Sequence, residues 1–400
     1  MAWRFEVDGT DVSSVASAKT GSRVVNGIGS AGCRIPSGDL ADIAGFAIGS
    51  SRLKVYDDAN ALWHHGIVWH LNDDGDENTC YTTITSVDPM ALWPMRPARD
   101  ADGDFSLPSF LTDFQTGPQI LEEILTNSIA IDGDMFLDMS GGTVETGGVD
   151  LSGLPTDWPM TIADVASLVF DTGMCDVVLD PIDVGSAIAR FNAYNGDYGQ
   201  DLSGSVVFQY GMGANNVRRA VRAQSMDQMC NKLWYFLGPK LTDAAGNERP
   251  QHWRSNVTGD HPALANPPGG DIDDLDPLGT LRANSQADYW VSMDIRVFDS
   301  AVDSGTDAED AQDGTDALFL RLWQAEQQTR VGPRTLCKIT PVRGTEPAFT
   351  AGDLISVQAG SMLRGGFSET QRVYRLTVNI DDNGVVDLGE ILTTADQETL

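Results

Sequence analysis

The chain has 400 residues, of which 58 are acidic and 26 basic, so its formal net charge is −32. This length exceeds one compact core and predicts two to four domains. An acidic surface repels nucleic-acid backbones and anionic membranes, which disfavours a sequence-reading DNA-binding protein. Adaptation to a salt-rich cell interior or a GC-rich coding sequence would produce the same aspartate excess, so the charge alone does not fix a function.

The cysteines are far apart and lack the spacing of a metal site: Cys33, Cys80, Cys175, Cys230 and Cys337. This pattern predicts buried small residues in a reducing compartment. Residues 1–10 contain no apolar run, and no window approaches the ~18 apolar residues of a membrane span. We therefore expect a soluble protein, made in the cytoplasm without a signal peptide.

Residues 1–105 are predicted to form an N-terminal β-barrel domain. Their strongest signal is a hairpin, with strands at 62–71 and 81–87 around the turn residues 72–76. Strict alternation would place Trp63, His65, Ile67, Trp69 and Leu71 on one, nearly all-core face of the first strand. Further strands are predicted at 3–7, 23–35 and 53–56.

Residues 106–202 are predicted to form an α+β domain. Pro118 stands where a first helical turn tolerates proline, and an apolar stripe follows at Ile120, Leu121, Ile124 and Leu125. A second helix begins at Thr161, whose partner Asp164 completes a capping box, and stops at Gly173. A buried strand from Met174 to Leu179 ends at Pro181.

The remaining chain is predicted to contain a second β-barrel, split into 203–239 and 316–395. Between them lies an acidic, loop-rich insertion at 240–315 that packs with the α+β domain, and 396–400 is a polar tail. The predicted elements are strands at 205–210, 217–223, 335–339, 354–357, 373–380 and 385–391, a short helix or strand at 227–237 and a helix at 316–330. Asp381–Gly384 forms the last hairpin turn, and Gly211–Asn216 reverses the chain between two strands.

The residues that suggest chemistry do not combine into a site. His64, His65 and His70 cannot share an ion, since six strand residues span roughly 20 Å and neighbouring side chains face opposite ways. Asp100, Asp102 and Asp104 lack the glycine and glutamate positions of a calcium loop. Gly211 and Gly213 lack the third glycine and the lysine of a phosphate loop. We therefore predict no catalytic residue, no cofactor and no metal.

Arg218, Arg219 and Arg222 form the main basic spot of the chain. Such a spot would suit the carboxylates of a neighbouring subunit. Local salt bridges within the chain are the alternative interpretation, and the sequence does not decide between the two.

Three groups of residues together resemble the tail-tip hub proteins of siphoviruses, which are similar to the trimeric baseplate hub of contractile phages. Near the N-terminus they are Val25–Ser30, Leu53–Asp57 and Trp63–Trp69 with Gly66 at its centre; centrally, Gly211–Asn216, Ser225, Asp227 and Asn231; and late in the chain, Gly352–Leu354, Arg372–Val373 and Ile380–Gly384. The acidic insertion has no part in this resemblance.

The resemblance implies a β-dominated α+β fold, with two tube-like β-barrel domains and an inserted α+β domain. It implies a non-enzymatic virion protein at the tail tip, a homotrimer that adapts a six-fold tail tube to a three-fold tip. Its partners would be the distal tail ring, the tape measure protein, a central fibre or receptor-binding protein, and DNA only in transit through an acidic lumen. The candidate subunit-interface residues are Asn215, Asn216, Arg218, Arg219, Arg222 and Arg372. A tail-associated cell-wall hydrolase and a non-viral β-rich adhesion protein are the alternative functions.

Overall fold

The computed structural model describes residues 3–75, 79–99, 115–147, 160–171, 175–196, 198–213, 215–225, 232–242, 248–255, 293–298, 334–342, 348–360, 366–382 and 385–394. Strands dominate, and most belong to one 13-stranded sheet. The prediction of a β-dominated α+β fold is confirmed. Within the described ranges, no helix is both long and apolar enough to cross a membrane.

The N-terminal part of this sheet is antiparallel throughout. Its strands are β1 (Arg4–Val7), β2 (Thr10–Asp11), β3 (Ser17–Val24), β4 (Ser30–Pro36), β5 (Arg52–Tyr56), β6 (Leu62–Gly75) and β7 (Cys80–Val87), in the order β3-β4-β7-β6-β5-β1-β2. Asp8 and Gly9 both have positive φ and make the tight turn between β1 and β2. The sequence prediction ran β3 and β4 together and missed the short helix α1 (Ser37–Ala41) and a 3₁₀ helix at Pro89–Met95.

The predicted β6–β7 hairpin is confirmed, but β6 continues through the predicted turn residues to Gly75. The prediction that Trp63, His65, Ile67, Trp69 and Leu71 form one nearly all-core face of β6 is confirmed for only part of the strand. His64 to Val68 are all buried, whereas Leu71 is exposed. An irregularity between Val68 and His70 shifts the alternation. A second packed layer contributes to this burial, because β6, in part through His65, also contacts the small sheet described next.

The α+β body contains α2 (Gly117–Asp132), α3 (Ile162–Asp171) and a sheet of β8 (Leu137–Asp138), β10 (Ala187–Tyr194) and β9 (Asp176–Val184), in that order. Thr116 and Gln119 form a capping box at α2, and the predicted Thr161–Asp164 capping box is confirmed at α3. The prediction that the strand stops at Pro181 is wrong. β9 runs through it, because an edge strand tolerates a residue without an N–H on its open side.

The helices bury the predicted stripe Ile120, Leu121, Ile124 and Leu125 against α3 and β10. Each such side chain stabilises the fold by roughly 1.5–3 kcal/mol relative to an exposed position. The stop predicted at Gly173 and the acidic run Asp100–Asp104 lie outside the described residues.

The C-terminal strands complete the large sheet. They are β11 (Val207–Tyr210), β12 (Val217–Ser225), β16 (Arg334–Pro341), β17 (Leu354–Ala359), β18 (Phe367–Ile380) and β19 (Val386–Thr394). The order β12-β16-β19-β18 is antiparallel, and β17 pairs with β18 on one side and in parallel with β11 on the other. The last predicted hairpin, β18–β19, is confirmed.

β18 joins the two halves of the sheet. Its first part, Phe367–Arg372, pairs with β17, and its second part, Arg375–Ile380, pairs with β3. One apolar core therefore extends from Phe5 and Ile84 to Leu376 and Ile391. The described ladder is open at β12 and at β2, so these residues show no closed ring, and the arrangement of two barrels and an inserted domain stays a prediction.

Three further strands form a separate small sheet in the order β14-β13-β15: β13 (Lys232–Thr242), β14 (Glu248–Ser255) and β15 (Met293–Phe298). The strand β13 continues beyond the predicted end of the 227–237 element through a register shift between Leu237 and Lys240. β14 and β15 lie within the predicted loop-rich insertion at 240–315. The helix predicted at 316–330 lies outside the described residues.

Candidate functional site: the arginine-bearing edge strand

The six residues predicted from the sequence as an interface do not form one cluster in the fold. Arg218, Arg219 and Arg222 lie on β12, whereas Asn215 and Asn216 precede it. Arg372 lies on β18, in the interior. Each group has different partners.

Arg372 is buried within the chain, with a side chain only 5% exposed. Its guanidinium donates to both carboxylate oxygens of Asp176, at the start of β9. It also donates to the carbonyls of Gly352 and Gly196, each at 3.2 Å, and of Tyr198 at 2.6 Å. Arg372 was predicted to lie at a subunit interface, whereas here it is buried inside the chain. All five N–H groups of its guanidinium are used within the chain, so the residue holds the α+β body against β18.

Asn216 also has partners within the chain. Its backbone N–H donates to the carbonyl of Gln209, its side-chain oxygen accepts from the Gln209 N–H at 2.7 Å, and its amide donates to the carbonyl of Val207 at 2.7 Å. The Asn216 side chain thus provides hydrogen-bond partners for backbone groups of β11 at the point where β12 diverges from it. Asn215 is exposed beside it.

Arg222 makes a local salt bridge within the chain, which is the alternative interpretation that the sequence left open. It makes a short ion pair with Glu369 and lies over the ring of Phe367, 4.4 Å from its centroid. Both partners belong to β18, a strand that the sequence does not connect with Arg222. The charge of Arg222 is therefore offset within the chain.

Arg218 and Arg219 are different, since both are exposed and neither makes an ion pair with another described residue. They lie at the start of β12, where the register against β16 shifts between Val217 and Arg219. Arg218 also lines a groove of about 660 Å³, whose walls include Lys19, Pro341 and Asp387.

Two of the three histidines of β6 have hydrogen-bonding partners within the chain. His64 Nε2 lies 2.8 Å from Ser86 Oγ, and burial lowers the pKa of His64 to about 3, so the ring is neutral at pH 7. His65 Nδ1 lies 2.6 Å from the carbonyl oxygen of Ile182 on β9. His70 is exposed. No group of three histidine, cysteine or carboxylate side chains suited to a metal ion occurs in the described ranges.

The cysteine prediction is confirmed for Cys33, Cys175 and Cys337, which are buried and free. Burial raises the pKa of the Cys33 thiol to about 12, so this sulfur is not a nucleophile at pH 7. The prediction of burial is wrong for Cys80, which is exposed at the start of β7. Cys230 lies outside the described residues.

Asp88 is a titratable residue whose environment the sequence did not reveal. One carboxylate oxygen accepts from the Gly29 N–H at 2.6 Å and the other from the Met90 N–H at 3.0 Å. Burial nevertheless raises the pKa of Asp88 to about 7. The adjacent cavity, between Arg23, His64 and Asp180, has a volume of only about 40 Å³, so Asp88 caps the 3₁₀ helix and does not face a substrate-sized cleft.

Comparison with solved structures finds whole-chain likenesses. The 43 kDa tail protein of prophage MuSo2 from Shewanella oneidensis is 14% identical, with a TM-score of 0.52 over 98% of this chain and 97% of the other. The tail protein from Neisseria meningitidis MC58 is 9% identical, with a TM-score of 0.54 over 98% of this chain and 96% of the other.

The chain has the fold of a phage tail protein. The resemblance to tail proteins drawn from the sequence is thus confirmed at the level of fold. No family model matches the sequence, and no curated protein matches it. For a tail protein fold, exposed strand edges are the natural places to look for assembly contacts, which directs attention to β12.

Proposed function

We propose that this chain is a structural hub of a phage tail tip, a homotrimer that adapts a six-fold tail tube to a three-fold tip. The likeness to two tail proteins, one of them from a prophage, over 98% of the chain carries the proposal. The hub holds the distal tail ring, the tape measure protein and a central fibre or receptor-binding protein.

The chain's internal organisation supports this proposal. An N-terminal group of antiparallel strands and a C-terminal group of strands are joined side by side through β3 and β18. Two β units in each of three chains give six units around an axis, which is the geometry that an adaptor between six-fold and three-fold symmetry needs.

The proposed role is mechanical and not enzymatic. The buried Cys33 thiol, the neutral His64 and the capped Asp88 are each engaged in packing or hydrogen bonds. Incubation of the purified protein with host envelope should therefore release no soluble fragments. Release that one point mutation abolishes would contradict this part of the proposal.

The first test is the mass of the purified protein in solution, measured by light scattering and native mass spectrometry. We expect three times the mass of the 43.0 kDa chain, and three-fold class averages by negative-stain electron microscopy. A monomer at all concentrations, or a particle with two-fold symmetry, would contradict the trimer.

The second test is the position in the virion. Gold-labelled antibodies against the exposed hairpin around Asp73 and Asp74 should mark the tail end distal to the head. Label along the whole tail tube, on the head, or absent from virions would contradict a tail-tip position.

A further inference from the structure

The side of β12 away from β16 is an unpaired sheet edge as far as the described residues show. Within the described part of the chain, β12 pairs with β16 on one side and no strand pairs along its other side. Arg218, Arg219, Val221 and Ala223 on this strand are exposed, with Val221 38% exposed. An open edge presents unpaired backbone N–H and C=O groups to any strand that comes alongside.

The charge on this edge is not offset within the described chain. Glu369 pairs with Arg222, but Arg218 and Arg219 have no such partner among the described residues. On a chain of net charge −32, two adjacent arginines on an open strand form a local positive surface. Electrostatic complementarity then favours a partner that presents carboxylates along a strand.

The opposite end of the same sheet has these properties. There β2 is the last strand, and residues 8–11 are all exposed. The segment continues along β1 beyond β2, since the Val12 N–H donates to the Phe5 carbonyl at 2.9 Å. Among the described residues, the Asp11 carboxylate accepts the Ser13 N–H and makes no ion pair, so its negative charge remains. Asp8 accepts the Arg52 backbone N–H and also interacts electrostatically with the Arg52 guanidinium, so its charge is partly offset.

We propose that the β12 edge of one copy binds the Asp8–Asp11 edge of a second copy, with Arg218 and Arg219 facing Asp8 and Asp11. This contact rests on the proposed homotrimer and names its interface. The two edges differ, so the contact is head-to-tail, and three such contacts close a ring if each copy is rotated by a third of a turn. The Ser13 N–H and carbonyl are already bonded within the chain, to the Asp11 carboxylate and from Lys19 Nζ at 2.8 Å. Backbone pairing is therefore confined to residues 8–11, and the charges fix register and partner.

Protection of the edge is the competing explanation of the arginines. Charged side chains on an open strand can prevent pairing with other chains. In that case the charges oppose assembly, and their removal would promote association. Under the proposal, reversal of the charges weakens assembly, so the two explanations predict opposite signs.

The experiment compares charge variants of the full chain. Arg218→Glu/Arg219→Glu and, separately, Asp11→Lys are exposed changes, and we expect each to raise the dissociation constant of the trimer at least tenfold by sedimentation or light scattering. The three changes combined in one chain restore an opposite-charge pair at position 11 of each contact, while Asp8 still faces a glutamate, so part of the affinity and not all of it should return. Lys338→Glu, on the neighbouring strand with a side chain 52% exposed, is the control and should leave the dissociation constant unchanged.

Hydrogen exchange gives a second readout. Amide exchange over residues 217–225 and 8–11 should slow on assembly of the wild type and stay fast in the charge-reversed variants. Circular dichroism of each variant should match the wild type, which separates loss of contact from loss of fold.

The outcomes are distinguishable. A trimeric wild type whose charge-reversed variants remain trimeric overturns this interface and leaves the proposed hub intact. Stronger association after Arg218→Asn/Arg219→Asn overturns it in favour of edge protection. Weakening by the arginine variant without weakening by Asp11→Lys places the arginines against another surface and also overturns it. A wild type that is monomeric throughout overturns both the interface and the trimer.

Discussion

Replacement of Arg372 by methionine should destabilise the folded chain more than any other arginine substitution discussed above. The Arg372 and Asp176 side chains are only 5% and 3% exposed. The guanidinium makes five donations, two of them to the carboxylate. Methionine has a similar length but no donor, so it would leave a buried carboxylate and three buried carbonyls without this partner.

The expected loss follows from this geometry. Removal of one partner of a buried ion pair typically costs about 3–5 kcal/mol, because the remaining charge is neither solvated nor paired. Asp176 keeps the hydrogen bond from the Tyr198 N–H at 3.1 Å, which offsets part of this cost. We therefore expect Arg372→Met to lower the free energy of unfolding by about 3 kcal/mol or more. The double variant Arg372→Met/Asp176→Asn should recover part of that loss, because it removes the buried negative charge.

Equilibrium urea unfolding at one fixed protein concentration is the appropriate assay, since assembly would otherwise contribute to the apparent stability. Arg375→Met is the matched control, three residues along the same strand. The Arg375 side chain is 41% exposed and pairs with Glu390, so its removal should cost less than about 1 kcal/mol. Equal losses for Arg372→Met and Arg375→Met would refute the reasoning, because burial would then have no effect on the cost.

Two further predictions concern a glycine and a carboxyl group. A Cβ at Gly142 would lie 1.7 Å from the Phe191 carbonyl oxygen, so Gly142→Ala should cost about 1–3 kcal/mol or prevent folding, whereas Gly147→Ala, with no atom within 4 Å, should be nearly neutral in the same unfolding assay. Burial raises the pKa of Asp88 from 3.8 to about 7. The protonated Asp88 carboxyl therefore stabilises the folded chain fully below pH 3.8, and this stabilisation is lost as the pH rises through about 7. Asp88→Asn should flatten this part of the stability–pH curve, and an unchanged slope between pH 4 and 7 would contradict the raised pKa.

The assembly surface was predictable from the sequence only in part. The sequence identified Arg218, Arg219 and Arg222 as the main basic spot, and the structure separates them. The positive charge of Arg222 is offset by the carboxylate of Glu369, which is 147 residues away along the chain. Arg372 has the same chemistry as Arg218, yet Asp176 of β9, Gly196 and Tyr198 surround its guanidinium. No local pattern distinguishes a free arginine from one whose partners are distant in sequence.

Local signals determined the helices and hairpins. Thr161 and Asp164 cap α3, Pro118 begins α2, and Asp381 with its neighbours turns β18 into β19, because these interactions involve residues a few positions apart. The same reasoning failed for β6, where the sequence shows one apolar face. Burial of both His64 and His65, which are neighbours along β6, depends in part on β9, more than 100 residues later.

By itself, the sequence determined the β-dominated composition, the capped helices, the last hairpin and the resemblance to tail proteins, since each rests on spacing and residue type along the chain. Only the tertiary structure decided which strands are edges. The pairing of β3 with β18 joins residues more than 350 positions apart, and the free energy of such a contact depends on every strand packed around it. That pairing places β12 and β2 at opposite ends of one sheet and makes them candidates for contact between copies.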